Sequence, residues 1–181
     1  MSHYTKEDII QLVEEEDVEF IRLQFVDTFG NLKNMAVTAK QLDVVLNNRC
    51  TFDGAAINGF DTVNVDELIL VPDLDSFAIF PWRPQRGRVA RFICDVQNPD
   101  GTPFMADSRY ILSEVVKEAA KEGYTFNVSP ESEFFLFDTA EDGSPTTETN
   151  EQGRFFDVGP IDSGENARRD IVLSLSEMGF E

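Results

Sequence analysis

Two glutamates, separated by a single residue, stand in a strongly apolar stretch of the sequence. Residues 127–139 read NVSPESEFFLFDT, so that Glu131 and Glu133 come directly before an apolar run at residues 134–137. Side chains alternate between the two faces of a strand, and an extended segment therefore places both carboxylates on the same face. Burying two like charges costs several kcal/mol each unless a cation or a proton compensates. The spacing therefore predicts a cation site.

A divalent metal ion is the cation that suits these glutamates best. Carboxylate oxygens are preferred ligands of Mg²⁺ and Mn²⁺, and each glutamate could lean toward a different ion of a two-metal site. The alternative is an edge strand whose glutamates simply face water, as most charged residues do. The apolar run at residues 134–137 favours the metal site, because consecutive apolar residues indicate a strand that is buried on both sides.

The composition restricts the class of protein. The 181 residues are 41% hydrophobic and 11% aromatic, which suffices for one or two domains with a core of their own. A formal net charge of -19 argues against a nucleic-acid partner, because a phosphate backbone would be repelled. The same acidity favours cation binding, although a solubilising surface explains most of the 34 acidic residues without any site.

Nothing in the sequence directs the chain to a membrane or to export. It has no run of about 18 apolar residues, and its first ten residues, MSHYTKEDII, lack the features of a signal peptide. We therefore expect a soluble, cytoplasmic protein without membrane contact. Cys50 and Cys94 are too few for a disulfide framework, and His3 is the single histidine, so we expect buried thiols rather than a zinc site.

Helix and strand patterns alternate over the first hundred residues. Thr5 with Asp8 predicts a capped helix that ends near Glu16, and Thr38 with Gln41 predicts a capping box for a second helix. Strand patterns occupy residues 19–26, 32–37, 67–71, 76–81 and 88–96, and the first two are joined as a hairpin by the turn at 27–31. A sheet that encloses one helix predicts an α+β fold of the β-grasp type.

A polar hinge at residues 98–103 precedes a second unit. Asp107 or Ser108 caps a predicted helix that Gly123 ends, and the glutamate strand follows. Residues 146–148 and 155–158 then predict a hairpin, and a last helix runs from about 165 to 178 with Ile171 and Leu175 among its buried residues. Two helices and three short strands do not easily close a core, so we expect this unit to be incomplete.

The loop at residues 51–60, TFDGAAINGF, is a second candidate site. Two glycines free its backbone, and Asp53 is the single acid among the first residues of the loop. Loops of special conformation often carry binding groups. A tight connection between a helix and a strand explains the same pattern, and composition alone leaves both interpretations open.

Taken together, these segments resemble the glutamine synthetases of bacterial class I, in the type found in Gram-positive bacteria. The segments FDGAAINGF, PDLDSFAIFPW, GRVARFICDVQNPDGTPF, SPESEFFLF and DSGENARRDIVLSLSEMGFE match successive family segments in one register along essentially the whole chain. The resemblance implies a β-grasp domain at residues 1–102, followed at 103–181 by the truncated beginning of an α+β, creatine-kinase-like catalytic domain. It also implies a homo-oligomer, a dodecamer of two hexameric rings, in which Asp53 serves the adjacent subunit.

The resemblance further implies an ATP-dependent glutamate–ammonia ligase that works through γ-glutamyl phosphate with two Mg²⁺ or Mn²⁺ ions. Glu131 and Glu133 match the family's first pair of metal ligands, and Asp53 matches the acid that holds ammonium and helps to remove its proton. The family's other metal ligands, its ATP-facing residues and its glutamate-binding arginines fall beyond Glu181. We therefore expect an N-terminal fragment that is inactive alone; the alternatives are a divergent ligase using another amine and a non-catalytic module that regulates synthetase rings.

The sequence departs from the family around the implied ammonium pocket. Ala55 and Ala56 replace two serines, and Phe155 stands where tyrosine is usual. One of those serines and the tyrosine normally help to line the pocket, so we expect the loss of two acceptors, at about 1–3 kcal/mol for each unmade bond. Thr62 stands where this type has an arginine linked to feedback inhibition by glutamine, and Ser132 replaces a proline.

Overall fold

The computed structural model describes residues 4–60, 67–82, 86–149 and 151–180, and Thr62 lies outside these ranges. The chain packs as two compact units, Met1–Phe126 and Asn127–Glu181. Within the described ranges, no helix is long and apolar enough to cross a membrane. The domain boundary expected between residues 102 and 103 stays a prediction; the helix that follows it lies in the first of these units.

The first unit is a mixed sheet with helices. Its elements are α1 (Lys6–Glu15), β1 (Val18–Val26), β2 (Leu32–Thr38), α2 (Leu42–Leu46), β3 (Cys50–Asp53), β4 (Glu67–Pro72), β5 (Ala78–Ile79), β6 (Arg88–Gln97) and α3 (Ser108–Lys121). The strand order is β2-β1-β6-β4-β3, and β5 also pairs with β6. The central strands β1 and β6 run parallel, whereas the other pairs are antiparallel. This architecture confirms the predicted α+β fold of the β-grasp type.

The core lies on one face of this sheet. Burial alternates along β6, so that every second residue from Ala90 to Val96 points into the core. Helices α1 and α2 cover this face with their apolar residues, namely Ile9, Val13, Leu42, Val45 and Leu46. Both cysteines are buried, as predicted. Burial raises the pKa of the Cys50 thiol and raises that of Cys94 to about 12, so both thiols pack as small apolar groups.

Local signals succeeded for the first helix and failed for the second. Thr5 accepts a hydrogen bond from the backbone N–H of Asp8, and the Asp8 carboxylate accepts one from Thr5 in return, which confirms the predicted cap. The capping box at Thr38 is wrong: its side chain makes no cap hydrogen bond, and a 3₁₀ turn, Ala39–Gln41, precedes α2. The α-helix begins only at Leu42, so Gln41 is the residue before the helix and not its third residue, as the capping box requires.

Two strand predictions also need correction. The strand predicted at residues 76–81 is only Ala78–Ile79, because a 3₁₀ turn at Leu74–Ser76 occupies its beginning. Residues 50–53, whose greater part was interpreted as loop, form β3, which pairs with β4 along its whole length. Tertiary pairing with a long neighbouring strand thus decides the conformation of a segment that is too short to show a period of its own.

One buried carboxylate organises the turn between β1 and β2. Asp27 is fully buried and accepts hydrogen bonds from the backbone N–H of Phe29 at 2.9 Å and of Asn31 at 2.8 Å. The Lys33 ammonium lies 3.2 Å from the other Asp27 oxygen. Burial by itself raises the pKa of Asp27, but the hydrogen bonds from Asn31, Lys33 and Phe29 outweigh it and lower the pKa to about 2. The turn therefore depends on an ionised Asp27.

Two residues, Asp107 and Arg109, fix the beginning of α3 to the sheet. Asp107 caps the helix by accepting from the N–H of Arg109 at 3.0 Å, and it also accepts from the N–H of Val96 at 2.9 Å. Arg109 pairs with Asp95 at 3.0 Å and with Asp73. The predicted cap at Asp107 is confirmed. Because no residue of the helix itself is buried, these polar contacts are what hold α3 in the first unit.

The second unit contains β7 (Phe137–Thr139), β8 (Pro145–Thr149) and α4 (Glu165–Glu177). The strands β7 and β8 form an antiparallel pair. The strand predicted around the two glutamates is wrong, because the chain has no regular secondary structure before Phe137 in this unit. The hairpin predicted between residues 146–148 and 155–158 is also wrong, since β8 pairs with β7 and residues 155–158 are not a strand.

Apolar side chains of the second unit are exposed. Phe135, predicted to lie in a doubly buried strand, is 77% exposed, and the predicted buried stripe of α4 is exposed at Ile171, Val172 and Leu175. Two short strands and one helix offer no second layer against which these faces could pack. The expectation that this unit does not close a core is therefore consistent with the packing of the described residues.

Replacing Asp27 by asparagine is expected to destabilise the first unit at neutral pH and to weaken its acid sensitivity. Because folding lowers the pKa of Asp27 from 3.8 to about 2, ionised Asp27 stabilises the fold above pH 3.8, and this contribution is lost as the pH falls toward 2. Urea unfolding of wild type and Asp27→Asn between pH 7 and about pH 2.5, followed by circular dichroism, measures the difference.

The matched control is Glu14→Gln, which removes an exposed carboxylate from α1. We expect this variant to keep the acid profile of the wild type. An Asp27→Asn profile that falls between pH 4 and about pH 2.5 as steeply as that of the wild type would contradict the role given to Asp27.

Candidate functional site

Asp53 is the last residue of β3, at one edge of the sheet, and it is exposed. Its Oδ1 accepts a hydrogen bond from the backbone N–H of Ala55 at 2.9 Å and so caps the 3₁₀ turn Gly54–Ala56. Within the described ranges, this is the one hydrogen bond of the carboxylate. The backbone thus orients Asp53 and leaves Oδ2 able to accept a proton or to face a cation.

The residues on both sides of Asp53 hold this loop against the core. The Phe52 ring packs 5.0 Å from the ring of Phe25, centroid to centroid, and the fully buried Phe60 packs on the same ring at 6.2 Å. Gly59 has φ +88, and a Cβ there would come within 2.9 Å of Thr28, so only glycine fits. Aromatic anchors and a glycine turn therefore define where Asp53 lies.

Ala55 and Ala56 are exposed beside Asp53 and carry methyl groups that can neither donate nor accept a hydrogen bond. The described part of the loop therefore offers a cation one ionised side chain, Asp53, and no neutral side-chain oxygen from these two positions. The predicted regulatory position, Thr62, falls outside the described residues.

Glu131 and Glu133 are both exposed and lie in the irregular segment that precedes β7. Neither side chain has a hydrogen bond or an ion pair with any residue that the structure describes. Their oxygens are suitable donors for Mg²⁺ or Mn²⁺, but an octahedral ion needs six ligands. Among the described residues, no group of three or more His, Cys, Asp or Glu side chains is placed to hold a metal ion. The donor chemistry fits such an ion, whereas the number of donors does not complete its site.

A cavity of about 550 Å³ in the second unit brings together several polar groups and two predicted site residues. Glu133, Glu151, Phe155 and Arg168 are among its lining residues, whereas Glu131 is not. Phe155 is 89% exposed and packs its ring 4.3 Å from that of Phe156. The structure thus places Glu133 and Phe155 at one cavity, while Asp53 belongs to the other unit.

Sequence reasoning missed Glu151 and Arg168. One oxygen of Glu151 accepts hydrogen bonds from the backbone N–H groups of Ser163 and Gly164, at 2.5 and 3.2 Å, directly before α4. Arg168 pairs with Asp162. A carboxylate at the beginning of a helix is favourable because the backbone N–H groups there have no partner within the helix. No local pattern reveals this contact, since its partners lie 12 residues apart.

Two substitutions at Asp53 separate its charge from its hydrogen bond. Asp53→Asn keeps an oxygen that can accept from Ala55 and removes the charge, and we expect the free energy of unfolding to change by less than about 0.5 kcal/mol. Asp53→Ala removes both, and the loss of a cap is expected to cost about 0.5–1 kcal/mol. Urea unfolding measures both values.

Equal destabilisation by the two substitutions would mean that the fold itself needs the negative charge of Asp53. That result would contradict the conclusion that the charge is free for a binding role.

Comparison with known protein families accounts for both parts of the chain. Residues 17–99 match the model of the glutamine synthetase β-grasp domain, and residues 105–181 match the model of the glutamine synthetase catalytic domain. The two models follow each other along the chain and include Asp53 in the first and Glu131, Glu133 and Phe155 in the second.

Similar curated proteins carry the same family name. The chain is 58% identical over 181 residues to a glutamine synthetase of Clostridium saccharobutylicum, covering 100% of this chain and 41% of that protein. It is 51% identical over 179 residues to a glutamine synthetase of Staphylococcus aureus (strain Mu50 / ATCC 700699), covering 98% of this chain and 40% of that protein. The chain thus spans about two fifths of the length of these relatives.

Solved structures show the same fold. A cryo-electron microscopy structure of Plasmodium falciparum glutamine synthetase aligns with a TM-score of 0.71 at 13% identity, over 99% of this chain and 41% of that chain, and supports the fold alone. A GmaS/ADP complex aligns with a TM-score of 0.56 at 25% identity, over 64% of this chain and 26% of that chain.

Proposed function

The chain belongs to the glutamine synthetase family, and we propose that it is the N-terminal part of a glutamate–ammonia ligase. The reaction would join ammonia to the side chain of glutamate, with ATP converted to ADP and phosphate through γ-glutamyl phosphate. The observation that carries this proposal is the match of two consecutive glutamine synthetase domains, together with 58% identity to a named synthetase along the whole chain.

Glu131 and Glu133 would be the metal-binding residues of this part of the enzyme, one for each of two Mg²⁺ or Mn²⁺ ions. Both carboxylates are exposed, and within the described ranges neither is committed to a structural contact. Bound divalent ions would neutralise the phosphoryl oxygens during transfer. The glutamates hold these cations, while the remaining ligands would come from a longer chain, because two carboxylates cannot fill an octahedral site.

Asp53 would be the residue that binds ammonium and accepts its proton. A carboxylate suits both tasks, because it attracts the cation and can accept its proton. The hydrogen bond from Ala55 fixes Oδ1 at 2.9 Å and so limits the rotation of the side chain. The second oxygen is then available to the ammonium ion without reorganisation of the loop.

The family also suggests the assembly, which we propose as a homo-oligomeric dodecamer of two hexameric rings in the cytoplasm. In that arrangement, Asp53 of one copy would belong to the same active site as the metal-binding glutamates of the neighbouring copy. ATP would be the co-substrate, and the relative solved as a GmaS/ADP complex supports a nucleotide of this kind.

A second candidate function is a ligase of the same family that prefers another amine. It is favoured by three residues whose side chains contain no oxygen, where the resemblance implies two serines and a tyrosine: Ala55, Ala56 and Phe155. Ammonium would lose acceptors in such a pocket. An alkylamine needs fewer hydrogen bonds and gains about 0.8 kcal/mol for each buried methylene group.

The 181-residue chain by itself is expected to release no phosphate above background with ATP, Mg²⁺, glutamate and ammonia, because most ligands of the ions and the substrates are missing. Joined to the C-terminal remainder of the Clostridium saccharobutylicum relative, it should form glutamine. In that protein, Glu131→Ala and Glu133→Ala are each expected to lower turnover at least about 100-fold and to weaken Mn²⁺ binding. Phosphate release and electron paramagnetic resonance of Mn²⁺ are the two measurements.

The matched control for these variants is Glu148→Ala, which removes an exposed glutamate from β8. It should leave turnover and Mn²⁺ binding unchanged. Equal losses in all three variants, or turnover by the 181-residue chain alone, would contradict the proposed division of ligands.

Restoring the missing oxygens is expected to improve ammonia as a substrate. In the same joined protein, Ala55→Ser, Ala56→Ser and Phe155→Tyr together should lower the KM for ammonia by about tenfold for each acceptor that is regained, because 1.4 kcal/mol corresponds to a factor of ten. Steady-state kinetics with ammonia and with methylamine compare the triple variant with the wild type.

Ala120→Ser, on the exposed side of α3, is the control for adding a hydroxyl group. The second candidate function would be contradicted if the wild type had the same KM for ammonia as the triple variant and did not use methylamine. The protein would then be an ordinary glutamine synthetase in its choice of amine.

A further inference from the structure

The outer face of the sheet in the first unit, opposite the core, carries two arginines side by side. Ile21 and Leu23 of β1 point into the core, so the residues between and beside them point outward. In the parallel pairing of β1 with β6, Phe20 lies beside Val89, Arg22 beside Arg91 and Gln24 beside Ile93. Arg22 and Arg91, the arginine pair, are therefore direct neighbours on this outer face, and both are half-buried.

Neither arginine of the pair has a carboxylate partner among the described residues. The Nε of Arg91 is buried without any hydrogen-bond partner there, and its Nη1 lies 3.5 Å from Oε1 of Gln24, at the limit of a hydrogen bond. The guanidinium carbon of Arg22 lies 5.7 Å from the centroid of the Phe80 ring. By contrast, Arg49, Arg88 and Arg109 of this unit each contact a carboxylate.

This arrangement is unusual in a chain whose formal net charge is -19. Like charges that lie directly opposite each other in a sheet repel, and a buried N–H without a partner is unfavourable. The repulsion disappears when an anion binds between the guanidinium groups. Carboxylate oxygens match the fork of N–H donors that a guanidinium presents, so a single oxyanion can accept from both arginines.

Apart from Gln24, the neighbours of the arginine pair on this outer face are apolar. Phe20 and Val89 are a neighbouring pair on the same face, two residues before Arg22 in β1 and two residues before Arg91 in β6. On the other side of Arg91, the small residue Ala78 of β5 lies beside it. The Phe80 ring stacks on the exposed Trp82 ring at 4.6 Å. These groups offer contact to carbon atoms rather than to further charge.

We propose that the arginine pair is a binding site for a small carboxylate with a short carbon chain. Its carboxylate accepts hydrogen bonds from the terminal guanidinium nitrogens of Arg22 and Arg91, while its carbon chain lies against Phe20 and Val89. The site is formed by β1 and β6 and is separate from Asp53, which ends β3 at the edge of the sheet. It rests on the geometry of the first unit and does not depend on the proposed ligase activity.

Calorimetric titration of the 181-residue chain with glutarate, a five-carbon dicarboxylate, tests the site. Glutarate is expected to bind saturably at one site per chain and more tightly than inorganic phosphate, because phosphate has no carbon chain. Arg22→Gln and Arg91→Gln should each weaken binding by about tenfold or more. Arg91→Lys should weaken it too, because lysine keeps the charge but lacks the planar fork of N–H donors.

The matched control is Arg49→Gln, which removes the same charge from an exposed arginine paired with Asp43. Circular dichroism and the Tm without ligand confirm that each variant is folded. Absence of glutarate binding, equal binding of phosphate, or an equal loss in Arg49→Gln would overturn the proposal. So would an Arg91→Gln variant that binds glutarate normally but changes the association state of the chain, because the pair would then face a second copy.

Discussion

The parallel pairing of β1 with β6 is the constraint on which the first unit depends. A parallel pair cannot be closed by a tight turn, so the hairpin to β2, helix α2, strands β3 and β4 and the short β5 all lie in the connection between the two central strands. The inward residues of this pair build the core, and its outward residues place Arg22 beside Arg91. Both candidate sites of this unit, at Asp53 and at the arginine pair, follow from this arrangement.

Polar contacts then extend this sheet toward the rest of the chain. The Ser108 hydroxyl donates to the backbone carbonyl of Asp27 at 2.9 Å, and Asp107 accepts from the N–H of Val96. The turn after β1, the end of β6 and the beginning of α3 are therefore tied to one another. Beyond α3 the packing changes in kind, since the apolar residues around Glu131 and Glu133 are exposed. Asp53, proposed for ammonium, thus lies on a packed sheet, whereas Glu131 and Glu133, proposed for metal, lie in an exposed segment without regular secondary structure.

The sequence was informative where local chemistry decides the structure. The sequence predicts the Thr5 cap and the hairpin at Asp27, because each is set by neighbouring residues. Thr38 fails as a cap because a 3₁₀ turn, and not the α-helix, follows it. The segment of Glu131 fails as a strand because no partner strand pairs with it in the described residues. Glu151 and the arginine pair were missed, since their partners are distant in sequence.

Amide hydrogen exchange of the 181-residue chain most directly tests the claim that the first unit folds around β1 and β6 while the glutamate segment has no stable packing here. The slowest amides should be those of β1 and β6, which open only when the whole unit unfolds. Amides at residues 127–136 should exchange at nearly the rate of an unfolded peptide. Protection at residues 127–136 equal to that of β6 would contradict this claim, because it would show that Glu131 and Glu133 already stand on a stable element of their own.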